Sequence, residues 1–248
     1  KILKQVKTLI RKGFAYRIEN DGYYFDIAKF SDYGKLSHRT TLQAEDATSR
    51  IDENIQKKNK GDFCLWKFKK NANEPSWETD LGEGRPGWHI EDTAITEYYF
   101  GSQYEIHGGG VDLKFPHHEA EIAQQESASG KKPLVKIWMH TGALLADGQK
   151  MSKSLNNFIT ANDFISQHSP ETLRLMILMN HYRSPFNFKK EVAEQAANSW
   201  KRIQNFIYRL YGIKSKVKSQ KSRPADAGRG SPLLGAAKVG ELINSTGK

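Results

Sequence analysis

A short basic loop, Lys150-Met151-Ser152-Lys153-Ser154, has the side chains in this sequence that best suit a polyphosphate. A turn signal, Asp147-Gly148, stands just before it. Two ammonium groups and two hydroxyls on a flexible loop can close over phosphates and neutralise oxygens whose negative charge grows in a transition state. A solvated surface loop has the same composition, so the order of the residues is the more specific signal.

A second group of residues has the types and spacing of metal ligands. His117 and Glu121 are four residues apart in a predicted helix, which puts both side chains on one face, as two ligands of one zinc ion require. Asp92 lies 25 positions before His117 (117 − 92), near the start of another predicted helix. Both features have ordinary alternatives, because His/Glu pairs at this spacing are common by chance and an early helical Asp often stabilises the helix N-terminus.

A glycine-rich segment, His107-Gly108-Gly109-Gly110, follows a predicted strand and is interpreted as a turn. Backbone N–H groups of glycines can approach phosphate or ribose oxygens closely, although tight turns also use glycine for shape alone. Asp112, two residues further on, can hold an amino group or a ribose hydroxyl. Trp88, at a predicted loop–helix junction, either packs in the core or covers a small ligand with its flat face.

Hydrophobic periodicity predicts alternating elements that position these residues. Strands are expected at 14–18, 23–27, 63–68, 104–106 and 135–139, helices at 1–13, 91–99 and from 116 to 127, and loop at 71–87. Cys64, in the third strand, is expected to be a packed core thiol rather than a nucleophile. Alternating strands and helices predict an α/β protein with a largely parallel sheet.

Beyond the lysine loop the sequence becomes helical. Ser169-Pro170-Glu171 is a helix start, with Ser as the cap and Pro at the first helical position. The apolar run 173–179 is expected to be buried, and apolar positions between 192 and 210 mark one face of a long helix.

Composition limits the class of partner. The formal net charge of +10 favours an anionic partner such as nucleic acid, although a lysine-rich surface gives the same number. The single cysteine rules out an internal disulfide and fits a reducing compartment. No apolar run approaches the roughly 20 residues that span a bilayer, and no signal peptide is visible. We therefore expect a cytoplasmic protein without membrane contact.

Taken together, these segments resemble the cysteinyl-tRNA synthetase family of class I aminoacyl-tRNA synthetases. The lysine loop resembles the family's nucleotide-closing loop, and the resemblance covers roughly residues 1–210. The matching segments are 24–26, 32–37, 74–77, 84–90, 106–112, 115–124, 138–140, 148–154 and 181–185. The resemblance implies a Rossmann-type parallel-sheet catalytic domain with a connecting insertion, followed by a helical domain that contacts tRNA.

The resemblance also implies a two-step, ATP-dependent ligase reaction of protein biosynthesis. Cysteine and ATP, with magnesium, give cysteinyl-adenylate and pyrophosphate, and the cysteinyl group then passes to the terminal ribose of tRNA(Cys). In this family a zinc ion binds the substrate thiolate, and zinc prefers soft sulfur to a hydroxyl, so serine is rejected. A monomeric enzyme is expected.

Residue roles follow by position in the match. His117 and Glu121 match two zinc ligands of the family, and Asp92 falls where the family usually has a cysteine. Lys150 and Lys153 match the mobile catalytic loop. The substrate positions implied are Lys153, His107, Gly108 and Gly109 for ATP, and Trp88, His107 and Asp112 for cysteine and its adenylate.

Some positions depart from the family pattern. The His-Ile-Gly-His nucleotide motif is absent, and neither 107–110 nor 140–143 replaces it. We therefore expect the first half of the nucleotide-binding fold, with a further cysteine ligand, to be missing from this chain or to lie elsewhere, and this chain alone to bind ATP poorly without turnover. Because Asp92 is a harder ligand than a thiolate, the site either holds zinc more weakly, uses a different fourth ligand or is lost. Asn156 stands where glycine is usual.

The predicted organisation has five regions. They are a connecting insertion at 1–60, the second half of the catalytic domain at 61–145, the lysine loop with a stem-contact region at 146–190, the start of a helical tRNA-contacting domain at 191–212, and a poorly ordered tail at 213–248. Two other functions stay open: a ligase that joins cysteine to an amino-sugar in mycothiol synthesis, and a non-catalytic RNA-binding fragment or paralogue. The long amphipathic helix and the basic region favour the tRNA ligase.

Overall fold

The computed structural model describes residues 1–39, 56–152, 155 and 157–210. The chain divides into two compact units, Lys1–Lys201 and Arg202–Lys248, and 202–210 is the described part of the second. The predictions for Lys153, Asn156 and the tail at 213–248 lie outside the described residues, as does part of the predicted insertion. Within the described ranges no helix is both long and apolar enough to cross a membrane.

An antiparallel sheet takes its strands from both sides of residue 60. Its strands, in spatial order, are β1 (Ala15–Ile18), β2 (Gly22–Phe25), β3 (Phe63–Phe68) and β4 (Gly84–Pro86). Phe25 and Phe63 stack with ring centroids 5.0 Å apart. Cys64 is buried, as predicted for a core residue. Residues 1–39 and 63–86 are therefore packed together, and the proposed boundary at residue 60 remains a prediction.

One strand prediction and one loop prediction in this sheet are wrong in detail. The second strand ends at Phe25, and Ile27–Lys29 form a 3-10 turn instead of continuing it. The segment 71–87 is not all loop, because β4 lies within it and pairs with β3 through Trp66 and Lys67. Tertiary pairing here overrides the weak strand preference of a Gly-Arg-Pro segment.

Three helices and a pair of parallel strands surround the predicted site residues. The helices are α1 (Ile2–Arg11), α2 (Ile90–Phe100) and α3 (Glu119–Ser129), and the strands are β5 (Tyr104–Gly110) and β6 (Val135–Thr141). α3 forms the crossover between the two parallel strands, as parallel pairing requires. This confirms an α/β fold with a parallel sheet and helices. The sheet is not largely parallel in the described part of the chain, because the larger sheet is antiparallel.

Val6 and Leu9 bring α1 into the main core, since spacings of three and four residues give a helix one apolar face. The core also contains Phe25, Ile27, Leu65, Ile90, Ala120, Ala123 and Leu134, all buried. α1 and α2 both pack against α3, so the helix that carries Glu121 lies at the centre of this part of the fold.

Two predictions beside the candidate site are corrected. His107–Gly110 is not a turn: it is the second half of β5, paired with β6 as far as Gly110 and Thr141. A Cβ on Gly109 would lie 2.7 Å from Cε1 of His118, so glycine permits close packing of that ring. The predicted helix at Pro116 begins as a π-helical segment, Lys114–His118, and α3 itself starts at Glu119.

The last part of the first unit contains a second small sheet and three helices. They are β7 (Leu144–Ala146), β8 (Gln149–Lys150), β9 (Phe186–Phe188), α4 (Ala161–Gln167), α5 (Pro170–Leu178) and α6 (Lys190–Leu210), of which α6 continues into the second unit. The Ser169 hydroxyl accepts a hydrogen bond from the Thr172 N–H, which confirms the predicted cap. The proposal of a helical tRNA-contacting domain from residue 191 stays a prediction.

The prediction that 173–179 is buried is wrong. Met176 is buried, but Ile177 and Leu178 are 55% and 78% exposed. Only one face of α5 packs, against a small cluster that includes Phe164 and Ala193. An apolar run without the helical period does not show which of its residues face that cluster.

Candidate functional site

His117, Asp92 and Glu121 converge at the start of two helices. Nε2 of His117 lies 2.9 Å from Oε1 of Glu121 and 2.9 Å from Oδ2 of Asp92. His117 is the next-to-last residue of the π-helical segment, Glu121 lies in the first turn of α3, and Asp92 lies in the first turn of α2. One ligand atom from each residue falls within 4.8 Å of the others, so this set can hold a metal ion.

The two carboxylates control the charge of His117. Burial disfavours its imidazolium, but a hydrogen bond to Asp92 and the attraction of Asp92 and Glu121 outweigh this and raise the pKa of His117 to about 9. The same hydrogen bond from His117 lowers the pKa of the Asp92 carboxyl. Oε1 of Glu121 is buried and, among the described residues, has no aligned hydrogen bond despite its short distance to Nε2. A buried carboxylate oxygen without an aligned donor fits a metal ligand.

A second set of possible ligands shares Glu121. His107 Nε2 lies 3.7 Å from Oε2 of Glu121, and His107, His118 and Glu121 offer ligand atoms within 4.8 Å of one another. The Tyr104 hydroxyl lies 2.5 Å from Nδ1 of His107. Burial, followed by neighbouring imidazoles, lowers the pKa of His118 to about 3, so this ring is neutral.

His89, His118 and His140 were missed by the sequence analysis. Nδ1 of His89 lies 2.7 Å from Nδ1 of His117, and Nδ1 of His118 lies 2.9 Å from Nε2 of His140. Burial and then the charge of His117 lower the pKa of His89 to about 3. His89 lies three residues before Asp92, about one helical turn away, and this spacing could have indicated a place near the site. His140 is distant in sequence from the other site residues, and no local spacing indicated its position.

The structure brings most predicted pocket residues together. Trp88 is not in the core: it is 55% exposed, and its ring centroid lies 4.8 Å from that of His117. His107 contacts Glu121. Gly109, on the same strand as His107, lies against the ring of His118. Asp112 is exposed in the 3-10 turn that follows β5. Their binding roles stay predictions.

The lysine loop lies at a different sheet. Lys150 is exposed at the end of β8. Asn157, which sequence analysis did not single out, receives a hydrogen bond from the Ser152 N–H at 2.8 Å and donates to the Lys150 carbonyl at 3.2 Å. One side chain therefore ties both described ends of this segment, while Lys153 lies outside the described residues.

Comparison with known proteins defines the class. Residues 1–198 match the family described as tRNA synthetases class I (C) catalytic domain, and the chain belongs to this family. Curated relatives named cysteine–tRNA ligase include that of Thermoplasma volcanium, 51% identical over 85% of this chain and 45% of its own length. Those of Methanococcus maripaludis and Thermococcus gammatolerans are 48% and 45% identical over 91% and 87% of this chain, and 46% and 44% of their own lengths.

The chain spans about half the length of the curated relatives it matches. Among solved structures, a putative arginyl-tRNA synthetase from Campylobacter jejuni aligns with 86% of this chain and 40% of its own at 12% identity. Its TM-score is 0.44, which is too low to support a conclusion about the fold.

Proposed function

We propose that this chain is part of a cysteine–tRNA ligase, and that it provides the metal-containing amino-acid pocket and the lysine loop of that enzyme. The observation that carries the proposal is the convergence of Asp92, His117 and Glu121 in a chain of this family. The names of its relatives, at 45% to 51% identity, support cysteine and tRNA as the substrates.

In this proposal Asp92, His117 and Glu121 hold a zinc ion. Zinc in such a site supplies a preference for thiolate sulfur over a hydroxyl. The buried Glu121 carboxylate fixes the ring of His117, and the exposed face of Trp88 covers the amino acid and excludes water. Asp112 holds the substrate amino group.

The phosphate side of the proposal uses Lys150 and Lys153 for ATP, which enters with magnesium. Lysine ammonium groups neutralise the charge that develops on phosphate oxygens as pyrophosphate leaves. In this proposal His107, Gly108 and Gly109 of β5 bind ATP, and His107 also lines the cysteine pocket. The net charge of +10 supports binding of a tRNA backbone through its phosphates.

Metal content and amino-acid binding test this proposal. We expect one zinc per chain by elemental analysis, lost in His117→Ala and kept in His181→Ala, which changes an exposed histidine on another segment. Calorimetry on the zinc-loaded chain should show cysteine binding at least about 100-fold tighter than serine binding, because serine lacks the soft ligand atom. Zinc content unchanged by His117→Ala, or equal binding of both amino acids, would refute it.

The alternatives separate by two further measurements on the full-length protein. The tRNA ligase requires cysteine-dependent ATP–pyrophosphate exchange together with a tRNA(Cys) gel shift. Exchange without tRNA binding would indicate the amino-sugar ligase. RNA binding without exchange would indicate a non-catalytic paralogue.

A further inference from the structure

The contact between His89 and His117 joins two like atoms. The two Nδ1 atoms are 2.7 Å apart, which is a hydrogen-bond distance. Such a bond needs an N–H on one ring and a lone pair on the other. The proton positions in this pair therefore follow from what the other nitrogen of His117 does.

Nε2 of His117 faces both carboxylates, and this decides the direction of the bond. If Nε2 gives its lone pair to a cation, the single hydrogen of the neutral ring must be on Nδ1. In that metal-bound state Nδ1 of His117 donates, so Nδ1 of His89 must accept, and the neutral His89 ring then carries its hydrogen on Nε2.

We infer that His89 is a positioning residue that holds His117 in the tautomer and ring orientation in which Nε2 can bind a metal. The inference rests on the proposed metal site. A hydrogen-bond acceptor behind a histidine ligand fixes its ring and increases its basicity as a ligand. The role needs no proton transfer and no contact between His89 and substrate.

The surroundings of His89 hold its acceptor in place. The ring is buried, and the edge of Phe63 meets it with centroids 5.4 Å apart and planes at 89°. The carbonyl of His89 accepts a hydrogen bond from the Gln124 side chain. Gln124 lies on α3 less than one turn after Glu121. The helix α3 therefore supplies the proposed ligand Glu121 and also fixes the backbone of His89, which stands behind the proposed ligand His117.

Nitrogen NMR of the ring atoms tests the tautomers directly. We expect His89 to carry hydrogen on Nε2 only, and His117 to carry hydrogen on Nδ1, in the zinc-loaded protein. A hydrogen on Nδ1 of His89 in the zinc-loaded chain would overturn the inference and leave the proposed metal site intact. A wild-type chain that binds no zinc would overturn the metal site and the positioning role together.

Zinc affinity in variants tests the positioning role. In chelator competition, His89→Leu should bind zinc about 10- to 100-fold more weakly, as removal of such a partner typically does. His89→Asn should stay close to wild type, because its Oδ1 can accept the same hydrogen. Phe63→Leu is the matched control, since it alters packing around the ring and keeps the acceptor.

Equal losses in His89→Leu and His89→Asn would overturn the positioning role, and so would wild-type affinity in His89→Leu. Urea unfolding of each metal-free variant shows whether it is folded. If His89→Leu does not fold, the comparison of His89→Asn with His89→Gln decides, because the longer Gln side chain places its oxygen beyond the Nδ1 position. Asn should then retain affinity and Gln should lose it; equal affinity would refute the role.

Discussion

His117 Nε2 lies 2.9 Å from Glu121 Oε1, a buried carboxylate oxygen that has no aligned hydrogen bond within the described ranges. A second carboxylate, from Asp92, approaches the same nitrogen at 2.9 Å. Two anionic oxygens around one imidazole nitrogen require a positive charge between them, which is a proton in the metal-free protein and can be a divalent cation. Protons and divalent cations therefore compete for the same position.

Zinc affinity should rise steeply with pH. Zinc needs the neutral ring of His117, whose pKa is raised to about 9, so below that value each bound ion must displace a proton. We expect affinity to increase about tenfold per unit between pH 6 and pH 8. Chelator competition in buffers of fixed ionic strength measures this, and a flat profile would show that His117 does not bind the metal.

The stability of the metal-free protein should decrease on both sides of pH 6.5. His117 has its pKa raised from 6.5 to about 9, so its contribution is complete below 6.5 and is lost as the pH rises to 9. His89 and His118 have pKa values lowered to about 3, so the unfolded chain binds more protons than the native one as the pH falls below 6.5.

Urea unfolding across pH 4 to 9 checks this pH profile. His117→Gln should remove most of the decrease on the alkaline side and leave the acid side. An unchanged alkaline decrease in that variant would assign it to another group.

Asp92→Cys should strengthen zinc binding. A thiolate is a softer ligand for zinc than a carboxylate, and the side chain at this position already approaches His117. We expect at least about a tenfold gain in affinity, with proton release from the new thiol at neutral pH. Glu91→Cys, on the neighbouring exposed position, is the control and should leave affinity unchanged. A gain in both variants would point to adventitious thiol binding.

Glu119→Gln should destabilise the fold. The fully buried carboxylate of Glu119 accepts hydrogen bonds from the backbone N–H groups of Gly34, Leu36 and Ser37 at 2.9, 3.3 and 2.8 Å. Gln offers one acceptor oxygen and points an N–H at a donor, which should lower the free energy of unfolding by about 2 to 4 kcal/mol. Glu105→Gln, on an exposed carboxylate, should change it little.

Gly109→Ala and Gly108→Ala form a matched pair on β5. A Cβ at 109 meets Cε1 of His118 at 2.7 Å, whereas at 108 the nearest atom is the Met139 carbonyl oxygen at 3.6 Å. We expect Gly109→Ala to cost about 1 to 3 kcal/mol of stability and to reduce zinc affinity by shifting the histidine cluster. Gly108→Ala should be tolerated in folding. Equal effects at both positions would contradict the packing role of Gly109.

Local signals in the sequence predicted local features well. β3 spans Phe63–Phe68 as expected, and the Ser169 cap forms because its hydroxyl reaches a backbone N–H three residues away. The pair His117 and Glu121 followed from helical spacing alone. Such features depend on neighbours within one turn or one strand, which a sequence displays directly.

Features that depend on distant pairing were not predictable in the same way. Nothing near His140 indicates that β6 brings it to His118, and the glycines after His107 suit a turn as well as a strand. Asn157 showed no motif, although its side chain holds the Lys150–Ser152 segment. In each case the deciding contact comes from another element, whose register the sequence alone does not specify.

The helix α3 is buried although its sequence is polar. Every residue from Glu119 to Ser127 is buried, and its polar side chains link separate parts of the fold: Gln125 bonds Gln5 of α1, and Glu126 bonds Lys35 at 2.6 Å and the Leu134 N–H at 2.9 Å. A polarity scale would assign this helix to the surface and treat it as freely mutable. Leucines introduced there to enlarge the core would instead leave several main-chain and amide donors unsatisfied, so an engineer seeking a more stable protein should leave this helix unchanged.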